Sequence, residues 1–236
     1  RWNIPYVVEP LGAYRPHARS LYKKRLYLRV LGKAFVGNAA SVIGTSRQEC
    51  EELVDDGLAP DRVVLRRNGI DILEFVDLPP AGGFRKKWSI EPGTPVVLYL
   101  GRLAAEKSLD LLVEAFAEGT SAKAMLVFVG PDVGDGLTRL IKSMATRLGL
   151  DDRVIFTGPL YAHDKLESLV DANVLVLPSI MENFGNAAAE ALACGTPVIV
   201  TEGCGISVYV RDRAGLVVPY DVHAHSEALR RLTTDS

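Results

Sequence analysis

Two carboxylates eight positions apart, Glu182 and Glu190, flank a run of small residues in the stretch PSIMENFGNAAAEALACG at 178–195. At about 100° per residue an eight-residue step leaves two side chains about 80° apart on a helix, so the acids do not line one helix face. Glu182 belongs instead to the mouth before a helix, and Glu190 to the helix wall. A helix starting near Phe184 would offer the amides of Phe184, Gly185 and Asn186 to an anion. Gly185 and Ala187 to Ala189 let backbone approach a ligand or a sheet. A tightly packed alanine-rich core helix also explains the alanines, but not the two acids at its flanks.

A second constellation is Gly101-Arg102-Leu103-Ala104-Ala105-Glu106-Lys107. Its glycine permits close backbone approach. Arg102 can fork onto phosphate oxygens, and Lys107 can act as a point charge. Two ordinary surface cations are the plainer reading. Positive charge at a helix N-terminus opposes the helix dipole, however, and a bound anion would account for it better.

Other chemistries lack their markers. No G-x-G-x-x-G follows an early strand, which argues against a nicotinamide dehydrogenase, and Walker A is absent. His17, His163, His223 and His225 stand with no G-x-S-x-G serine. Cys50, Cys194 and Cys204 are too few and too scattered for a disulfide framework or a zinc site, which suggests a reducing, cytoplasmic setting. No apolar run reaches the roughly 18–20 residues of a membrane span.

The elements that must position these residues follow a regular rhythm. Apolar strands are expected at 95–100, 124–129, 153–156, 174–177, 198–200 and 215–218, with helices at about 108–117, 137–148, 163–171 and 184–193 and from about Val222. Strand alternating with helix means right-handed crossovers and a parallel sheet covered on both faces. The fold class is therefore α/β, a Rossmann-like doubly wound sheet over 75–236. Ahead of it, strands at 6–8, 41–44 and 62–65 and a helix capped by Ser46 outline a partial second Rossmann-like domain over 1–74. Residues 72–93, rich in proline and glycine, are the expected linker.

With 48% apolar and 24% charged residues, the 236-residue chain is ordinary globular material of formal charge −2. Residues 10–48 nevertheless carry eight basic residues and no acidic one. Within 15–33, Leu21, Leu26, Leu28, Val30 and Leu31 lie among the cations, as in an amphipathic helix. Such a helix is either a solvated face or a patch for an anionic membrane surface, each cation contributing roughly 1 kcal/mol near lipid. Nucleic acid is not expected, because no aromatic stacking platform accompanies the charge.

GRLAAEK at 101–107 together with PSIMENFGNAAAEALACGTPVIV at 178–200 resembles the donor domain of the retaining family-4 glycosyltransferases of the GT-B fold, with their Glu-x7-Glu motif. RNGID at 67–71, Gly130-Pro131 and FTGPL at 156–160 match further family segments. The resemblance implies transfer of a sugar from a nucleotide-sugar, UDP- or GDP-linked, to a glycan or lipid-linked acceptor, as in polysaccharide biosynthesis. In it Arg102 and Lys107 hold the diphosphate, Glu182 holds donor-sugar hydroxyls with the backbone of Asn183, Phe184, Gly185 and Asn186, Glu190 holds the ribose hydroxyls, and the loop at Leu160 borders the base. Catalysis is assigned to Glu182, Arg102 and Lys107. No metal or other cofactor is implied, the chain containing no Asp-x-Asp. Ser108 stands where the family often has Gly, and Leu11 where many relatives place His or Arg. The alternative is a non-catalytic nucleotide-sugar or carbohydrate-binding module, which need not keep Glu182. The implied location is cytoplasmic, peripheral at the inner membrane face. Alone, this piece is expected to be inactive, because catalysis needs two whole domains to close on the donor.

Overall fold

The computed structural model describes residues 4–11 and 33–234. The chain divides into two compact units, Arg1–Gly69 with Glu182–Phe184, and Ile70–Met181 with Gly185–Ser236.

In the first unit, β1 (Val7–Val8), β2 (Ser41–Gly44) and β3 (Val63–Leu65) form a parallel sheet in that order, Val42 pairing with Val8 and Val63. Helices α1 (Lys33–Gly37) and α2 (Arg47–Asp55) supply Val36 and Leu53 to a core with Ala39, Val42 and Leu58. Ser46 caps α2 as its type and place suggest, its hydroxyl accepting from the Glu49 amide at 3.1 Å. Glu49 reaches back so that its carboxylate accepts from the Thr45 amide at 2.9 Å. The third strand starts one residue later than expected, because Pro60–Arg62 tighten into a 3₁₀ turn. The basic stretch at 15–33 lies, apart from the backbone of Lys33 in α1, outside the described residues.

In the second unit, β4 (Val96–Leu100), β5 (Met125–Val129), β6 (Val154–Gly158), β7 (Val174–Leu177), β8 (Val198–Thr201) and β9 (Gly215–Val218) form a parallel sheet, ordered β6-β5-β4-β7-β8-β9. Val96, Val97, Leu98, Leu126, Val127 and Val176 are all fully buried. These continuous apolar runs, rather than alternating ones, are what coverage of both sheet faces demands. Each large buried side chain contributes about 1.5–3 kcal/mol. From β4 the chain steps outward through α4 (Leu109–Gly119) and α5 (Leu137–Arg147) to β5 and β6. It then returns through α6 (Ala162–Val170) to β7 and continues the other way through α7 (Asn186–Ala193) and α8 (Ser207–Val210) to β8 and β9. Right-handed crossovers in opposite directions put α4 and α5 on one face and α6 to α8 on the other. The last helix, α9 (Val222–Thr234), packs back against α4.

The stretch 72–93 differs from the expected linker. It contains a 3₁₀ turn at Ile72–Phe75 and helix α3 (Gly83–Lys87). Buried Asp171 is the reason. Its carboxylate accepts from the amides of Gly82 at 2.6 Å and Arg85 at 3.0 Å, while the Arg85 guanidinium donates to the Asp171 carbonyl (2.9 Å) and to Thr94 O (2.6 Å). Glycine and proline marked the turns correctly, but a buried carboxylate 80 or more residues away binds them into the domain.

Candidate donor site

The strand order reverses between β4 and β7, which pair at Val97–Val174 and Leu98–Leu175. Loops leaving the carboxyl ends of two such strands diverge, and the crevice between them is where ligands of open α/β sheets bind. The loop after β4 carries Arg102 and Lys107; the chain leaving β7 carries Glu182 and, in α7, Glu190.

The loop after β4 is held by its backbone. The amides of Gly101 and Leu103 donate to Val129 O and Pro131 O, each at 2.9 Å, and Gly130 N donates to Gly158 O at 3.0 Å. A Cβ on Gly130 would lie 1.8 Å from the Gly101 carbonyl oxygen, so only glycine lets the loops after β4 and β5 touch. Buried Tyr99 donates its hydroxyl to the Arg102 carbonyl at 2.9 Å. The Asp135 carboxylate accepts from Ala105 N and from Leu137 N, both at 3.0 Å, tying the loop to the start of α5. Ser108 has a left-handed φ of 52°, which explains physically why a glycine suits that place. The Tyr220 hydroxyl donates to the Ser108 hydroxyl at 3.1 Å. On this fixed backbone the Arg102 guanidinium lies 3.1 Å from Glu106, with side chains 60% and 41% exposed. Lys107 closes the 3₁₀ turn Ala105–Lys107.

Helix α7 begins at Asn186, two residues later than the sequence suggests, so of the three expected amides only that of Asn186 belongs to it. Gly185 is the reason: it is left-handed at φ 97°, and a Cβ there would lie 2.7 Å from Cys204 Sγ. Glu190, on the second turn, lies with its carboxylate 2.9 Å from the ammonium of Lys165 on α6. Lys165 follows half-buried Leu160 by five residues and lies 4.0 Å from Glu74 on its other side. Below Glu190, burial and then the Glu190 charge push the Cys194 thiol up to about 11, with Lys165 opposing. Cys50 is also pushed up, mainly by burial. Neither is a ready thiolate nucleophile.

Arg102, Lys107, Leu160, Gly185, Asn186 and Glu190 thus belong to the second unit, whereas Glu182, Asn183 and Phe184 group with the first. Inside that first unit the Asn183 side-chain amide donates to the Thr45 hydroxyl, and the Ser46 hydroxyl donates to the Asn183 carbonyl at 3.3 Å. Lys165, Tyr99, Asp135 and Tyr220 were not found from sequence. No motif marks them, and only their placement beside the loops gives them meaning. Among the described residues, His163, Asp164 and Glu167 bring possible metal ligands within 4.8 Å of one another. They lie on α6, His163 exposed, with Asp164 paired to Lys87 at 2.8 Å. No described helix is long and apolar enough to cross a membrane.

A doubly wound parallel sheet with a cationic loop and a Glu-x7-Glu helix at its switch point is the donor-domain pattern of GT-B glycosyltransferases. The profile of the family described as Glycosyl transferases group 1 matches residues 83–236. The chain belongs to this family. It is 33% identical over 219 residues to a D-inositol 3-phosphate glycosyltransferase of Streptomyces bingchenggensis, covering 88% of this chain and 48% of that protein. A sucrose-phosphate synthase of Thermosynechococcus elongatus superposes with a TM-score of 0.82 at 31% identity, over all of this chain and 60% of the other. The Anabaena protein HepE, solved with UDP and glucose, shares the fold with a TM-score of 0.81 at 20% identity, over 98% of this chain and 67% of its own. The chain spans about half the length of the curated relatives it matches.

Proposed function

We propose that this chain supplies the donor-binding part of a glycosyltransferase that moves a sugar from a UDP- or GDP-sugar to a glycan or lipid-linked acceptor. The observation that carries the reading is the switch point, where the cationic loop after β4 and the Glu-x7-Glu segment after β7 leave adjacent strands. Residues 75–236 form the donor side, and residues 1–74 contribute to the acceptor side. Arg102 and Lys107 neutralise the diphosphate as the bond from sugar C1 to the phosphate oxygen breaks and its electron pair leaves with the phosphate. Glu182 and the backbone at Asn183–Asn186 hold sugar hydroxyls, Glu190 takes the ribose hydroxyls, and Leu160 borders the base. The acceptor oxygen bonds C1 on the face the diphosphate leaves, so configuration is retained, and its proton passes to the departing phosphate. Side-chain cations replace a metal in this scheme. Attachment to the inner membrane face through 15–33 belongs to the same reading.

Calorimetry of the chain against UDP-, GDP- and ADP-sugars without added metal tests it. Binding of one of them, weakened in Arg102→Ala, is expected. Binding of none, or binding indifferent to Arg102→Ala, would refute the assignment. For the protein carrying both complete domains, the relatives' name makes a phosphorylated inositol one acceptor to assay, with product configuration read by NMR.

A further inference from the structure

We infer that Lys165 is a positioning residue that fixes the Glu190 carboxylate for a ribose diol, making the site selective for ribonucleotides over 2′-deoxyribonucleotides. The inference rests on the donor-site reading above and adds to it a residue outside the motif.

Its basis is a contrast among the ion pairs. Those of Lys87–Asp164, Arg102–Glu106, Arg211–Glu202 and Arg230–Glu227 leave both partners 41% or more exposed. Such pairs contribute little and hold no fixed geometry. Lys165 and Glu190 are only 19% and 21% exposed at 2.9 Å. A shielded pair is screened less and loses more when one member is removed, since the other charge stays behind in the wall. The topology makes the contact: α6 and α7 follow crossovers in the same direction, so they lie side by side on one face, each starting from a loop at the carboxyl edge of the sheet. Glu74, 4.0 Å from Lys165, restrains the ammonium from a second side.

The chemistry of the diol needs this restraint. A carboxylate accepts about four hydrogen bonds, so one from Lys165 to Oε2 leaves capacity for both ribose hydroxyls. A glutamate on a helix turns freely about three torsions. Held from one oxygen, it presents the rest of its lone pairs in a single orientation. The saving falls on the hydroxyl that a 2′-deoxyribose lacks.

The test is calorimetry of the 236-residue chain with UDP, GDP and ADP, followed by the 2′-deoxy form of whichever binds. The wild type is expected to prefer the ribonucleotide about tenfold, the scale of one hydrogen bond to a charged group. Lys165→Met should shrink that ratio to about twofold, Lys165→Arg should keep most of it, and Lys87→Met, which breaks an exposed pair of the same helix, should leave it alone. The double variant Lys165→Met/Glu190→Gln removes both charges and leaves no lone carboxylate, so it keeps the test open if the single variant folds poorly. It should match Glu190→Gln alone. If Lys165→Met weakens both nucleotides equally or leaves the ratio intact, Lys165 has only a structural role and the inference falls while the donor reading stands. If the wild type binds no nucleoside diphosphate, both fall together.

Discussion

The two sides of the donor crevice are built on opposite principles. Around Arg102 and Lys107 the backbone is fixed: amides are satisfied strand to strand, Gly130 touches Gly101, and Tyr99, Asp135 and Tyr220 tie the loop down, yet the Arg102 side chain stands mostly in water. Around Glu190 the order is reversed. A regular helix carries the residue, and a shielded cation from the next helix sets its side chain. The difference suits the ligand groups assigned to each side. A diphosphate spreads its charge over several oxygens and is served by cations that swing in from solvent. A vicinal diol is directional and needs an acceptor already in place.

The hardest blow to the backbone-built side is a single methyl group. Gly130→Ala puts a Cβ within 1.8 Å of a carbonyl oxygen and is expected to cost about 3 kcal/mol in urea unfolding, among the larger effects of a single substitution. Gly158→Ala is the control. Gly158 is left-handed at φ 73° but faces open space, so only the backbone term remains, about 1 kcal/mol. Equal losses would show that the two loops separate easily and that the contrast is overdrawn.

The side chains on that fixed backbone should behave the other way. Arg102→Ala and Lys107→Ala are each expected to weaken nucleoside-diphosphate binding about tenfold or more, because charge-assisted contacts to phosphate are lost. For exposed Arg102→Ala the unfolding free energy should stay within about 0.5 kcal/mol. A large stability loss there would mean that the Arg102–Glu106 pair belongs to the framework rather than to the ligand.

The same division explains how much the sequence discloses. The six strands of the second sheet were legible because fully covered parallel strands are unbroken apolar runs, and the loops at their ends could then be read for Arg102, Lys107 and Glu190. Positions governed by a distant partner were not. Residues 72–93 look like a linker until buried Asp171 is seen to gather Gly82 and Arg85. The start of α7 slips from Phe184 to Asn186 because Gly185 must pass under Cys204. Lys165 reads as one more surface lysine, since neither its spacing from Glu190 nor any motif shows that α6 and α7 share a sheet face. Local pattern is written in the chain, whereas side-chain partnership emerges only with the topology.

The backbone-built side extends from Ser108 along α4 to its contact with α9, where a Cβ on Gly119 would lie 2.3 Å from Ser226 O. Here His225 is fully buried, with Nδ1 2.8 Å from the Asp221 carbonyl oxygen. Burial lowers its pKa below the ordinary 6.5, only partly offset by Asp221. The unfolded chain therefore binds the proton more readily than the folded one. The stability this histidine contributes is complete above about pH 6.5 and declines as the pH falls from there toward its lower folded value. Urea unfolding at pH 7.5, 6.5 and 5.5 should show that decline, and His225→Leu should flatten the part of it due to this residue. Identical pH profiles would place the ring in contact with water and loosen the α4–α9 contact.

The gentlest probe addresses the side-chain-built wall without any ligand. With its pKa pushed up to about 11, Cys194 is roughly 1% thiolate at pH 9, and its alkylation by iodoacetamide, followed peptide by peptide, should be correspondingly slow. Glu190 raises that pKa and Lys165 lowers it, so the two variants must move the rate in opposite directions. Glu190→Gln should speed alkylation a few-fold, and Lys165→Met should slow it by less, because the carboxylate is the larger of the two charge effects. Rates that rise in both variants would mean the helices had merely parted and exposed the thiol. Opposite signs require that both charges stand over Cys194 in the folded protein, with the lysine and the glutamate facing each other across α6 and α7.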